Sequence, residues 1–128
     1  MSTQILVVDD EQLVAFMLKA AFESNGYSVV SAASAAEAVT TLAARPFDAV
    51  ITDMKMESDS AGFDVVRAAR AVANPPAVLI LTAFPILARD WRASGADALL
   101  SKPSNITQLL DTVAELVSQR RRRATRIS

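Results

Sequence analysis

A small set of polar side chains could act together, because each follows a short apolar run. The set is Asp9, Asp10, Asp53, Thr82 and Lys102. Carboxylates that meet at one place repel each other and favour a hard cation such as Mg²⁺, which prefers oxygen ligands. A hydroxyl and an ammonium beside them would donate hydrogen bonds to phosphoryl oxygens. These residue types therefore indicate a metal-bound phosphoryl group, carried by a carboxylate as an acyl phosphate.

The composition excludes most other chemistry. The 128-residue chain has no cysteine and no histidine. Disulfides, zinc fingers, thiol nucleophiles and Ser-His-Asp triads are therefore impossible. Hydrophobic residues make up 52% and charged residues 21%, which is typical of a folded chain of about one domain.

The charges are unevenly distributed along the chain. Residues 120–128 hold five of the thirteen basic residues and no acidic one, so residues 1–119 carry eight basic side chains against fourteen acidic ones. We predict a domain over residues 1–119 and a basic C-terminal tail over 120–128. The tail could be a frayed helix end, a contact for an acidic partner or a linker stub. An acidic body argues against a nucleic-acid partner, and the apolar stretches are too short to span a membrane. We expect a cytoplasmic protein.

The elements that position these residues alternate regularly. Strands are predicted to begin near residues 5, 28, 49, 78 and 98. Helices are predicted over residues 12–25, 35–44, 62–73 and 85–94, and a last one follows Ser104 as its N-cap. Each interval is long enough for a crossover helix, so the pattern predicts an α/β fold with a doubly wound parallel sheet. In such sheets ligands bind beyond the carboxyl ends of the strands.

Two of the predicted helices have a clear apolar face. In the first helix this face consists of Val14, Met17, Leu18, Ala21 and Phe22. In the last helix it consists of Ile106, Leu109, Leu110, Val113, Leu116 and Val117. Both faces are predicted to cover the sheet.

The order of these features resembles the receiver domain of two-component response regulators. The resemblance extends from about residue 4 to 116, and its matching stretches are ILVVDDE at 5–11, AVITDM at 49–54, LILTA at 79–83 and KP at 102–103. It implies a flavodoxin-like (βα)5 three-layer sandwich with strand order 2-1-3-4-5. It also implies a single-domain switch that catalyses only its own phosphorylation and dephosphorylation.

The resemblance also implies a metal site. Asp53 would be the phosphoacceptor, and Asp9 and Asp10 would hold Mg²⁺ together with it. The backbone carbonyl of Lys55 would be a further ligand.

The remaining site residues would contact the phosphoryl group. Thr82 would bind a phosphoryl oxygen and move on modification, and Lys102 would pair with Asp53 and then with the phosphoryl group. The donor would be a phosphohistidine on a sensor histidine kinase or a histidine phosphotransfer protein. Because the chain has no histidine, that donor must lie outside the 128 residues.

The loop after Asp53 departs from the family pattern. Glu57 follows Met56 where a proline is usual, and Gly62 is displaced by one residue. We expect a longer and more mobile loop beside the site.

Three side chains are expected to modulate the switch. Lys55 and Phe84, each two residues beyond a site residue, lie where the family tunes the loss of the acyl phosphate, and we expect slow autodephosphorylation. Leu99 replaces the ring that many members bury on activation, so output would depend on the fourth helix and its loop instead.

A partner surface is implied as well. The fourth helix, fifth strand and fifth helix form the family's usual face for a downstream target or a homodimer. Trp91, the only tryptophan, lies on the predicted fourth helix and is either a packing residue or a partner anchor.

Two other functions stay open at this stage. One is a receiver-like binding module that acts without phosphorylation. The other is a magnesium-dependent phosphotransferase or flavodoxin-like enzyme, although the three glycines form no phosphate-binding loop.

Overall fold

The computed structural model describes residues 2–102 and 104–127. Three residues lie outside the described ranges. They are Met1 of the predicted domain, Pro103 of the Lys-Pro pair and Ser128 of the predicted tail. Within the described ranges the strands are β1 (Gln4–Val8), β2 (Ser28–Ala32), β3 (Ala49–Thr52), β4 (Ala77–Thr82) and β5 (Ala98–Ser101). The helices are α1 (Gln12–Glu23), α2 (Ala35–Ala44), α3 (Ala61–Ala71), α4 (Trp91–Ser94) and α5 (Ile106–Ile127), with a 3₁₀ turn at Pro85–Ala88.

The strands form one parallel sheet in the order β2-β1-β3-β4-β5, which confirms the predicted fold class. β1 and β3 run in step, with Val8 opposite Thr52. β4 and β5 likewise bring Thr82 opposite Ser101. The carboxyl ends of β1, β3, β4 and β5 therefore meet at one rim, and the strand order reverses at β1.

Two apolar clusters cover the two faces of the sheet. Alternate strand residues, such as Leu6 and Val50, face α2, α3 and α4. The residues between them, such as Val7 and Ile51, face α1 and α5. Every residue of β3 and β4 is buried, as expected for central strands covered on both faces. The result is the expected three-layer sandwich.

The predicted apolar faces of α1 and α5 are only partly correct. Leu18 and Phe22 are buried, but Met17 is 61% exposed and Ile106 is 43% exposed. Met17 and Ile106 line a groove between α1 and α5 that these two helices leave open. Helical periodicity identified the apolar face but not the groove that leaves part of it uncovered.

The segment predicted as one helix over residues 85–94 is instead two short pieces. The 3₁₀ turn begins at Pro85, whose fixed φ suits a first position, and α4 has only four residues. Gly95 ends α4 with φ 97°, a left-handed conformation that glycine adopts easily.

The N-cap predicted for α5 is wrong by one residue. Asn105, not Ser104, caps the helix, because its Oδ1 accepts from the N–H groups of Thr107 and Gln108 at 2.7 and 3.3 Å. The hydroxyl of Ser104 is buried and, within the described residues, has no hydrogen-bond partner.

α5 continues through the arginine-rich segment instead of fraying before it. The Nε and Nη2 groups of Arg120 donate to the carbonyl oxygens of Pro75 and Asn74 at 2.8 and 3.2 Å. Its Nη1 group pairs with Asp48 at 3.1 Å. These contacts hold the helix against the amino-terminal edge of the sheet. The boundary between residues 1–119 and 120–128 stays a prediction. Of the helices in the described ranges, none is both long and apolar enough to cross a membrane.

We expect Arg120→Ala to lower the free energy of unfolding by about 1–3 kcal/mol, since it removes hydrogen bonds to a half-buried guanidinium. Chemical denaturation of both proteins would measure the difference. Arg123→Ala, an exposed arginine of the same helix, is the matched control. Equal losses in both variants would show that Arg120 does not anchor α5.

Candidate functional site

Three carboxylates lie at the rim where the strand order reverses. Asp9 and Asp10 follow β1, and Asp53 follows β3. Each offers one oxygen, and these oxygens all lie within 4.8 Å of one another. Asp9 and Asp53 are buried, with 2% and 6% of their surface exposed, whereas Asp10 is exposed. The structure thus brings together the acidic residues that the sequence analysis singled out.

Lys102 reaches the same rim from the end of β5. Its Nζ donates to Asp9 Oδ2 at 2.7 Å and to Asp53 Oδ2 at 3.0 Å. Its backbone N–H donates to the carbonyl of Thr82 at 2.8 Å, which fixes where the side chain starts. Burial opposes the positive charge, but the bonds to Asp9 and Asp53 outweigh it and raise the pKa of Lys102 above its usual value. The lysine is therefore a firmly charged partner of both carboxylates.

The second oxygen of each buried carboxylate binds the backbone. Asp53 Oδ1 accepts from the N–H of Met54 at 2.7 Å, and Asp9 Oδ1 accepts from that of Glu11 at 2.9 Å. Backbone on one side and Lys102 on the other leave each carboxylate little freedom to rotate. The site is therefore already ordered.

Two threonines serve the site differently. Thr82 is fully buried, and its Oγ1 accepts from the N–H of Phe84 at 3.0 Å, so the hydroxyl is engaged with its own loop. Thr52, which the sequence analysis did not single out, donates its hydroxyl to the carbonyl of Asp53 at 2.8 Å. This hydrogen bond restrains the backbone of Asp53. Its only signal in the sequence is a polar residue at the end of an apolar strand.

The two side chains at the positions expected to modulate the switch contact each other. The ammonium of Lys55 lies 4.9 Å from the centre of the Phe84 ring, a cation–π contact between exposed side chains. Lys55 belongs to the loop after β3 and Phe84 to the loop after β4. The contact therefore joins the two loops that border the site.

The loop after Asp53 is tied down more than its sequence indicates. The N–H of Gly62 donates to Met54 at 2.8 Å, and a Cβ on Gly62 would lie 2.6 Å from the carbonyl oxygen of Asp53. Only glycine fits this close approach of α3 to the end of β3. At the tip of the loop, Glu57 accepts from the N–H groups of Ala35 and Ala36. The bond from Ala35 is the main reason why the pKa of Glu57 is lowered, although desolvation opposes it. Sequence analysis found the missing proline but not this anchor.

Leu99 and Trp91 lie away from the rim chemistry. Both are half-buried and pack against the cluster shared by α2, α3 and α4. The guanidinium of Arg92 lies 4.5 Å from the centre of the Trp91 ring. These contacts fit a packing role for Trp91, and its role as a partner anchor stays a prediction.

The rim residues are suited to Mg²⁺. The cluster presents hard carboxylate oxygens at a spacing that one small cation can bridge, with one exposed ligand that leaves room for water. Asp9, Asp10 and Asp53 would hold the ion. When no cation is bound, Lys102 balances part of the charge of these carboxylates.

A parallel sheet of this order, with an acidic rim faced by a lysine that follows its last strand, is the arrangement of a receiver domain. The sequence model of the response regulator receiver domain matches residues 5–114. The chain therefore belongs to the response regulator receiver domain family.

Curated relatives agree with this assignment. The response regulator MprA of Mycobacterium tuberculosis is 34% identical over 119 residues, covering 91% of this chain and 51% of that protein. The sensory/regulatory protein RpfC of Xanthomonas campestris pv. campestris is 31% identical over 130 residues, covering 97% of this chain and 18% of that protein. The chain thus spans about half, or less, of these relatives.

Solved structures share the fold. The chemotaxis response regulator CheY4 of Vibrio cholerae has a TM-score of 0.81 at 30% identity, covering 91% of this chain and 99% of that one. The response regulator TrrA of Thermotoga maritima, solved with Mg²⁺ and BeF, has a TM-score of 0.79 at 29% identity, covering 89% and 98%.

We expect Lys102→Met to lower the free energy of unfolding by about 3 kcal/mol in chelator, because it leaves two buried carboxylates without their cation. Added Mg²⁺ should raise the melting temperature of this variant more than that of the wild type. Lys19→Met, on α1, is the control. A response to Mg²⁺ that is equal in all three proteins would contradict the pairing.

Proposed function

We propose that the chain is a phosphorylation-activated signalling switch in which Asp53 receives the phosphoryl group. The observation that carries this proposal is the buried contact of Lys102 with both Asp9 and Asp53 inside a three-carboxylate rim. Burying and ordering two like charges costs free energy, which is not expected of a rim with only a structural role. The family and its Mg²⁺–BeF neighbour support the same function.

In the proposed transfer, a carboxylate oxygen of Asp53 attacks the phosphorus of a phosphohistidine. The P–N bond breaks, its electron pair returns to the imidazole, and a mixed anhydride forms on Asp53. Lys102 holds the carboxylate in line and then binds a phosphoryl oxygen. Asp9, Asp10, Asp53 and the carbonyl of Lys55 would hold Mg²⁺. The bound ion would neutralise charge on the transferred group.

The proposed switch begins at Thr82. Its hydroxyl can donate to a phosphoryl oxygen while it still accepts from Phe84, and movement of Thr82 toward Asp53 would carry the Phe84 N–H with it. The loop after β4 would move, together with the short α4 that follows it. Since Leu99 has no ring to bury, the signal would leave through α4 and its loop toward the face of α4, β5 and α5.

The partners, the domain limits and the cellular compartment of this switch are also proposals. A sensor histidine kinase or histidine phosphotransfer protein would donate the group, and a downstream protein or a second copy would bind the output face. Residues 1–119 would form the receiver domain and 120–128 a basic extension of its last helix. The cytoplasm, where such donors act, would be the compartment.

Phosphotransfer tests the proposal directly. We expect a panel of autophosphorylated histidine kinases, or acetyl phosphate with Mg²⁺, to label the wild type and not Asp53→Ala. Asp59→Ala, in the same loop, should still be labelled. Absence of label with every donor, together with no change of Trp91 fluorescence on adding beryllofluoride and Mg²⁺, would instead support a binding module that needs no phosphorylation.

A second test concerns the lifetime of the phosphoryl group. We expect Lys55→Ala and Phe84→Ala each to speed its loss about two- to fivefold, since an exposed cation–π contact is worth about 0.5–1 kcal/mol. The double variant should be no faster than either single one, because each change removes the same contact. Phosphate release would measure the rates, with Ile86→Ala as the control. A half-life of seconds that neither substitution changes would contradict shielding by this pair.

A further inference from the structure

The carboxylate of Glu57 joins two parts of the chain that are far apart in sequence. Its Oε1 accepts from the N–H of Ala35 at 2.9 Å, and its Oε2 accepts from the N–H of Ala36 at 3.1 Å. Ala35 and Ala36 are the first two residues of α2, whose N–H groups have no acceptor inside the helix. The loop after Asp53 is therefore tied to the start of α2.

α2 already has a cap of its own. Ser34 Oγ accepts from the N–H of Glu37 at 3.1 Å, and Glu37 Oε2 accepts from the N–H of Ala33 at 3.0 Å. This pair differs from a standard capping box in one respect, because Glu37 binds the N–H one residue before the cap residue Ser34. Glu57 binds the N–H groups of Ala35 and Ala36, which neither Ser34 nor Glu37 binds. We conclude that the contact orders the loop more than it orders the helix.

Besides Glu57, the loop is supported by the Lys55 contact with the Phe84 ring, by Met56 packing on the core and by two backbone bonds. At its base, the carbonyl of Met54 accepts from Gly62 at 2.8 Å, and at its tip Met56 donates to the carbonyl of Ser58 at 3.1 Å. Lys55 lies between these two points. Its side chain contacts Phe84, whereas its backbone lies between the base bond behind it and the Glu57 anchor ahead of it.

We propose that Glu57 is a positioning residue for the phosphoacceptor site. By fixing the loop to α2, it sets the position of Lys55 at the rim, and it couples cation binding there to the start of α2. This inference rests on the proposed function, in which the carbonyl of Lys55 is a metal ligand. Glu57 itself does not touch the cation or the phosphoryl group.

The first measurement is Mg²⁺ affinity of the unphosphorylated protein, followed by NMR titration. We expect Glu57→Ala to weaken binding about tenfold, the size of effect typical of residues that support a ligand. Glu37→Ala removes a carboxylate from the same helix end, and Asp59→Ala removes one from the same loop. Both controls should stay within about twofold of the wild type, because exposed charges are screened.

The second measurement uses the reciprocity of coupled equilibria. If cation binding orders the loop, it must also strengthen the bonds to α2. We expect Mg²⁺ to slow exchange with water of the Ala35 and Ala36 amide protons in the wild type but not in Glu57→Ala. The amide of Thr107, capped by Asn105 at the start of α5, should not respond.

The outcomes separate this inference from the function on which it rests. Loss of affinity in Asp59→Ala equal to that in Glu57→Ala would show long-range electrostatics and overturn the positioning role. Wild-type affinity in Glu57→Ala, with no response of Ala35 and Ala36 in the wild type, would overturn it as well. A wild type that binds neither Mg²⁺ nor beryllofluoride would instead remove the proposed function, whatever Glu57 does.

Discussion

The organisation of the rim depends on the repulsion between two buried carboxylates. Asp9 and Asp53 directly follow neighbouring strands and have almost no exposure to water, a costly arrangement for two like charges. Lys102 makes it tolerable by binding one oxygen of each. Because the backbone N–H of Lys102 also binds the carbonyl of Thr82, the same residue joins the edge strand to the site. One residue thus provides both the charge balance at the rim and the bond that ties the sheet edge to it.

The register of the sheet decides whether that interaction can form. The ladder continues one residue past the strands, since Asp53 donates its N–H to Val8 at 2.9 Å and Asp9 donates its N–H to Ala32 at 3.1 Å. A slip of one residue would turn either carboxylate to the opposite face and expose its apolar neighbours. The alternation of the two clusters along β1 and β3 opposes such a slip. Core packing therefore fixes the positions of the two carboxylates independently of their charge.

The difference between local patterns and remote contacts explains what the sequence could predict. The strands and the rim residues follow from short-range periodicity and from the rule that strand ends meet, so Asp9, Asp53 and Lys102 could be placed together. The order of the strands was implied only by the family resemblance. Features that depend on remote contacts could not be predicted. The anchor of Glu57 on α2 joins residues 22 positions apart, and Arg120 reaches a residue 72 positions away. The exposure of Met17 likewise depends on the open groove between α1 and α5.

The two sides of the sheet differ in how firmly they are built, which bears on where a signal can travel. On one side, α1 and α5 pack on the sheet, and α5 is fastened beyond it by Arg120. On the other side, α4 has four residues and follows a 3₁₀ turn, beside an edge strand with no fully buried residue. Elements with few buried contacts rearrange at the lowest free-energy cost. A change at Thr82, which leads directly into that segment, would therefore spread toward α4 and β5 while α1 and α5 keep the site in place.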